Sequence, residues 1–317
     1  MFLCHLGARR QVTLLLRESA LSAANFTRLF EVGAVPHGDT LNYAYARLDP
    51  QQVQATVTGL TEHLICHKVL TRYRLFDQYY VVLIDGAGLD TFHERHCPYC
   101  LTRKAGNGQT RYYHNVLEAK LVTYDGLVCS LGSEFIENPE PNPTKQDCEL
   151  KAFYRLAERL KEYFPRLALC LSMDGLFACG PVFELCHAYN WRFVIALKDD
   201  DLPSVTEEFV GLAPLNPDQR LTCFTGRRAE IKQEFRWVNE IDYRDTQGRA
   251  HQLSVLERGE TTSTSDDSSA TTRFRWVTDF TIKENRVREL ARERRADSLE
   301  DRKRVVAQAR RGKINHR

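Results

Sequence analysis

Two stretches decide the fold: QYYVVLID at residues 78–85 and LALCLSMD at residues 167–174. Each is a short, dense apolar run that ends on an aspartate. A run of that kind reads as a buried strand, of the sort found in a parallel sheet covered by helices. Each aspartate is followed by glycine, in LIDGAG and SMDGLF. Open α/β sheets place their sites where strands run out, and a glycine there lets backbone or ligand approach closely. Asp85 and Asp174 are therefore the central candidates. Two carboxylates brought together bind magnesium or manganese through hard oxygen ligands. Two such ions about 3.5–4 Å apart clamp a phosphodiester, one at the attacking and one at the leaving oxygen. A second reading stays open, because Asp-Gly is also a common turn former at strand ends.

Outward from these strands the pattern is that of an α/β core. VLEAKLVTYDGLVCSLGSEFI, residues 116–136, reads as two strands joined at Asp125-Gly126, a strong hairpin signal. After the turn NPEPNPT, the residues Leu150, Phe153, Leu156, Leu160 and Phe164 form an amphipathic helix stripe. GPVFELCHAYN then reads as a helix and RFVIALK as a further strand. Residues 203–280 read as a β-rich region, with strands in EFRWVNEIDYRD, HQLSVLER and TRFRWVTDF. Within it ETTSTSDDSSATT, residues 260–272, is polar and of low complexity and predicts a mobile loop tip. Residues 1–75 have helical spacing, with Asp49 as an N-cap and Pro50 at the first helical position. The end of the chain, from residue 281, predicts a residual helix and a disordered basic tail.

Composition narrows the classes. A chain of 317 residues with 43% apolar side chains is long enough to bury a core. The net charge of +2 does not by itself argue for nucleic acid, but arginine and lysine crowd together after Arg286. The N-terminus turns charged too early for a signal peptide, and no apolar run is long enough to span a bilayer, so a cytoplasmic protein with no membrane partner is expected. Several of the ten cysteines sit in apolar runs and read as small core residues in a reducing compartment. CPYC is different. Cys97 and Cys100 supply two zinc ligands at the right bite, with His93, His96 and His114 nearby, but no second clean pair completes the motif. Zinc ligands, a redox pair and unliganded loop cysteines all stay open. Lys198 with Asp199, Asp200 and Asp201 reads as a solvated strand exit, and Trp191, Trp237 and Trp276 as packing residues.

Taken together, the segments VVLIDGAGLDTF, HCPYCLTR, YYHNVLEAKLV, NPTKQDCELKAFYRLAERLKEYFP, LSMDGLFACGPVFELC, RFVIALKDDDLPSV and FRWVTDF resemble DDE transposases of bacterial insertion sequences, in the branch typified by insertion sequence four. They span roughly residues 35–285 in the family's order. The resemblance implies an RNase H-like core (residues 76–202) with a β-rich insertion, after a small helical N-terminal region that reads DNA. It implies that Asp85 and Asp174 are the first and second catalytic acids and that they hold magnesium or manganese. The partner implied is DNA at the transposon ends, with a homodimer as an option.

One departure stands out. The family's third acid, a helical glutamate in a phrase close to Trp-Lys-Ile-Glu-Asn-Glu, has no counterpart here. Residues 294–306 read RRADSLEDRKRVV instead. Among the degenerate codons for Leu299–Arg304, the choice CTG GAA GAT CGA AAA CGA, with the G of Val305, read one base later gives Trp-Lys-Ile-Glu-Asn-Glu. A frameshift just upstream of Leu299 therefore accounts for the loss, and with it strand transfer is expected to be very slow or absent. Glu284, Glu289, Glu293 and Glu300 are the substitutes in reach, and such a chain would otherwise act as a DNA-binding or regulatory remnant. Sequencing the gene checks the frameshift: codons that forbid the shifted reading end the idea.

Overall fold

The computed structural model describes residues 9–140, 143–198, 200–225, 231–263 and 269–287. The chain divides into two units at Gly59, inside a helix. The first unit is helical, with α1 (Arg9–Val12), α2 (Ala20–Phe30), α3 (Gly38–Tyr45) and the start of α4 (Pro50–Cys66). Polar caps start these helices. Ser19 Oγ accepts from the Ser22 amide at 3.3 Å, and Asp49 Oδ1 accepts from the Gln51 amide at 2.9 Å. Each satisfies a backbone donor that the first helical turn leaves without a partner. Among the described residues no helix is long and apolar enough to cross a membrane.

The second unit is a mixed α/β structure built on one large sheet. Its strands are β1 (Tyr80–Phe92), β2 (Leu101–Lys104), β3 (Thr110–Val122), β4 (Val128–Ile136), β5 (Leu169–Met173), β6 (Arg192–Leu197), β7 (Arg220–Thr225), β8 (Ile231–Arg244), β9 (Ala250–Ser263) and β10 (Ser269–Thr278). The order is β2-β3-β1-β5-β6-β10-β9-β8-β7, with β4 on β3. β3 runs antiparallel to β1 and β4 antiparallel to β3, whereas β5 and β6 run parallel to β1. β10 turns antiparallel again on β6 and carries β9, β8 and β7 outward. Three further helices follow β4, β5 and β6: α5 (Glu149–Tyr163), α6 (Gly180–Ala188) and α7 (Pro203–Leu212).

Alternation along the strands sorts side chains onto two apolar faces. Val82 and Ile84 of β1, with Leu169, Leu171 and Met173 of β5, join the core that includes Phe153 and Leu156 of α5, Phe183 of α6 and Phe209 of α7. Val81, Leu83 and Cys170 face the other way, packed with Leu75, Tyr79 and Phe280. β1 is therefore buried on both faces, as its unbroken apolar run requires. On α5 the stripe buries Phe153, Leu156 and Leu160, together with Ala152 and Ala157. The two alanines let the helix axis approach the sheet closely.

The structure differs from the sequence reading in three places. Within residues 93–114, where the sequence marks no strand, β2 pairs with β3 from Leu101↔Tyr113 to Lys104↔Thr110. Region 203–280 opens with a helix, because Pro203 stands in the first turn of α7, where its missing N–H costs nothing. β9 and β10 pair as far as Ser263↔Ser269, well into the polar stretch, since backbone pairing needs no apolar side chains. The expected tail falls outside the described residues beyond Val287. Phe153 is 1% exposed at the centre of the α5 contact. Phe153→Ala is expected to destabilise the fold by about 3–5 kcal/mol, read from denaturant melts; a loss below about 1 kcal/mol would show that α5 is not anchored there.

Candidate active site

Asp174 stands at the carboxyl end of β5, whereas β1 runs on for seven residues past Asp85 to Phe92, so the expectation that this strand ends on its aspartate does not hold. β1 and β5 pair in parallel up to Leu83↔Ser172. Two residues further along the same register, Asp85 comes abreast of Asp174. Partnered residues of parallel strands point to the same face, and adjacent strands lie about 4.8 Å apart. Asp85 is still within β1, opposite Glu118 of β3. Asp174 lies just beyond β5, where its Oδ1 accepts from the Leu176 amide at 3.1 Å and caps a single helical turn, Gly175–Phe177. Among the described residues, that bond involves Oδ1.

The glycines after the acids each make room for a carboxylate from elsewhere in the chain. A methyl group added at Gly86 would overlap the carboxylate of Glu149, and one added at Gly175 would overlap that of Asp201. Glu149 opens α5, where a negative charge is stabilised by the helix N-terminus. Asp201 follows β6, and its Oδ2 accepts from the Lys198 amide at 2.8 Å. Gly86 follows Asp85 and faces the α5 side with Ile84, whereas Asp85 shares the face of Leu83. Asp85 and Asp174 thus belong to one face and Glu149 and Asp201 to the other, and among the described residues the four carboxylates do not gather into a group close enough to share an ion. Sequence reasoning took Asp201 for part of a solvated turn and did not single out Glu149. Their one visible signal was the Asp-Gly pair itself, whose glycine marks a close approach without naming the partner.

Cys97 and Cys100 belong to a separate cluster. Cys97 Sγ lies 3.6 Å from Cys100 Sγ, and His114 Nε2 lies 3.4 Å from Cys97 Sγ and 3.3 Å from Cys100 Sγ. The ligand atoms of His96, Cys97 and His114 all fall within 4.8 Å of one another. Burial pushes the Cys97 thiol up. Burial also works to raise Cys100, but the Cys97 and His96 amides, the Cys97 thiol and the Arg95 charge together hold it below its ordinary value. His93 is turned instead toward the Arg111 guanidinium. Of the substitutes for a third acid, Glu284 lies on a short helical turn and is exposed, while Glu289, Glu293 and Glu300 lie outside the described residues.

No protein-family model and no curated protein sequence matches the chain. The site must therefore be argued on its own geometry. What an added methyl meets at Gly86 or Gly175 is the end of a side chain, so each carboxylate swings away at a cost of about 1 kcal/mol. Gly86→Ala and Gly175→Ala are expected to keep the melting temperature near that of the parent. Manganese affinity, read by isothermal titration, is expected to fall roughly ten- to a hundredfold. Unchanged affinity in both variants would show that Glu149 and Asp201 take no part.

Proposed function

We propose that this chain is a transposase-class protein, for DNA transposition by metal-dependent phosphodiester cleavage and strand transfer, on an RNase H-like core. The observation that supports the reading is the parallel pairing of β1 and β5 up to Leu83↔Ser172, two residues before Asp85 and Asp174. The strand order supports it: β4-β3-β1 antiparallel, then β5 and β6 parallel to β1, with helices α5 and α6 after β4 and β5. So does the β-rich segment β7–β10, which follows the second acid and joins the sheet through β10 on β6.

Asp85 and Asp174 would hold magnesium or manganese. The bound ions supply Lewis acidity to a phosphodiester and to the water or DNA 3′-hydroxyl that attacks it. The chain's own part is positioning. Parallel pairing sets both acids at one level, the Leu176 amide fixes the Asp174 carboxylate, and Gly86 and Gly175 keep the strand ends thin enough for Glu149 and Asp201 to approach. Without the family's third glutamate, the ions are held weakly and strand transfer is very slow or absent.

A second reading is a DNA-binding or regulatory remnant without catalysis. One observation favours it: Arg103 and Lys104 of β2 are exposed, and Arg111 stands opposite Arg103 across the β2–β3 ladder. Cations so arranged suit DNA phosphates.

The deciding experiment is cleavage of DNA carrying the element's own ends, with magnesium or manganese, by the parent chain and by Asp174→Ala. Metal-dependent cleavage lost in the variant shows that a substitute glutamate completes the site and that the chain is not defective. No cleavage by either, with DNA binding retained, is the outcome expected of a defective transposase; no cleavage and no DNA binding sinks both readings. Arg103→Glu with Lys104→Glu is expected to weaken duplex binding and to reduce the log–log salt slope by about 2.

A further inference from the structure

We propose that His96, Cys97, Cys100 and His114 form a closed, structural zinc site. Two sulfur and two imidazole donors match the zinc preference in both number and softness. The distances match as well. Zinc bonds of about 2.3 Å to sulfur and about 2.0 Å to nitrogen, set tetrahedrally, separate neighbouring ligand atoms by about 3.5–3.8 Å. Cys97 Sγ, Cys100 Sγ and His114 Nε2 form a triangle with sides of 3.6, 3.4 and 3.3 Å, which is one face of such a tetrahedron drawn slightly tight. His96, within 4.8 Å of Cys97 and His114, supplies the fourth corner. A sulfur–sulfur separation of 3.6 Å is far beyond a disulfide bond, and both thiols are free.

The surroundings hold these ligands in place. The Phe92 ring stacks on His96, centroids 4.7 Å apart and 14° between planes, and meets His114 edge-on at 6.4 Å. Both imidazoles are thereby oriented by a single side chain. The Cys97 amide donates to Cys100 Sγ at 3.4 Å, a bond that favours a thiolate. Asn138 Nδ2 donates to the Cys100 carbonyl at 2.8 Å, and the Asn138 amide donates to the Tyr99 carbonyl at 3.0 Å. The knuckle is thus anchored in backbone and side chain before any ion is considered.

The role follows from position. His114 pairs with Asp90 in the β1–β3 ladder, and the stretch of β1 from Asp85 to Asp90 rises about 16 Å. The site is therefore distinct from the acidic strand ends. It fastens the turn after β1 to the beginning of β3. The adjoining β2 is tied onward, since the Thr102 amide donates to Gln146 Oε1 at 2.6 Å and Gln146 Nε2 donates to the Thr102 carbonyl at 3.0 Å. Gln146 lies three residues before Glu149. Zinc would brace the approach to α5 and take no step in chemistry. The proposal stands whether or not the chain cleaves DNA.

Full-length chain produced in zinc-supplemented medium and dialysed against metal-free buffer is expected to carry about one zinc per chain by mass spectrometry of the elements. Cys97→Ser and Cys100→Ser are expected to lose it, and His93→Ala to keep it. His96→Ala is expected to release zinc to a chelator about tenfold more readily. Should the serine variants fail to fold, the parent loaded with cobalt decides alone. Thiolate-to-cobalt charge-transfer bands with tetrahedral ligand-field bands support the site, and their absence overturns it. Zinc-free folded parent after reconstitution, a Cys97–Cys100 disulfide found by intact mass, full zinc in Cys97→Ser, or unchanged chelator release from His96→Ala would each overturn the closed four-ligand site.

Discussion

The parallel pairing of β1 with β5 is the constraint on which the rest of this molecule depends. It joins residues almost ninety positions apart in the chain, and it does so in a single register, because both strands are buried on both faces. A slip of one residue would exchange the two faces of a strand: Val82 and Ile84 would leave the helix-covered core while Val81 and Leu83 entered it. It would also move Asp85 off the level of Asp174. The apolar burial that fixes the fold is therefore the same force that aligns the acids, and the site inherits its precision from the core.

Around that alignment, charge is managed by backbone and by space. One Asp174 oxygen accepts from an amide. Glu149 sits where a helix N-terminus favours an anion. Several carboxylates close together repel one another unless a cation or hydrogen-bond donors compensate. The Leu176 amide serves one oxygen of Asp174, and the Lys198 amide one oxygen of Asp201.

Away from the strand ends the same sheet is stabilised by different means. Buried ion pairs tie the outer strands, where Glu257 of β9 receives Arg236 of β8 at 2.5 Å and Arg275 of β10 at 2.9 Å. Burial alone would raise the Glu257 carboxyl, but the two guanidiniums outweigh it and hold it below the usual carboxylate range. The Asp245 carboxylate, at the β8–β9 turn, lies against Gly180 at the start of α6 and is paired with Arg249. The β8–β9 hairpin is in this way docked onto the core that carries Asp174, and its long strands do not project as a free ribbon.

The sequence by itself marked most of the elements and the two candidate acids, though not β2 or α7. Unbroken apolar runs marked β1 and β5, period-3.6 spacing marked α5, Asp-Gly marked the β3–β4 turn, and an acid at the end of each apolar run marked Asp85 and Asp174. These are local signals, written in adjacent residues by side-chain size and polarity. Which strands would be neighbours, and in what register, was decided only by tertiary structure, because pairing depends on burying two faces at once. For the same reason Glu149 and Asp201 were silent in the sequence: nothing near either residue says that it will lie over a glycine more than twenty positions away. CPYC offered two candidate ligands, but His96 and His114 come close to them only through the β1–β3 ladder and the Phe92 ring. Short-range chemistry chose the parts, and long-range packing chose which parts meet.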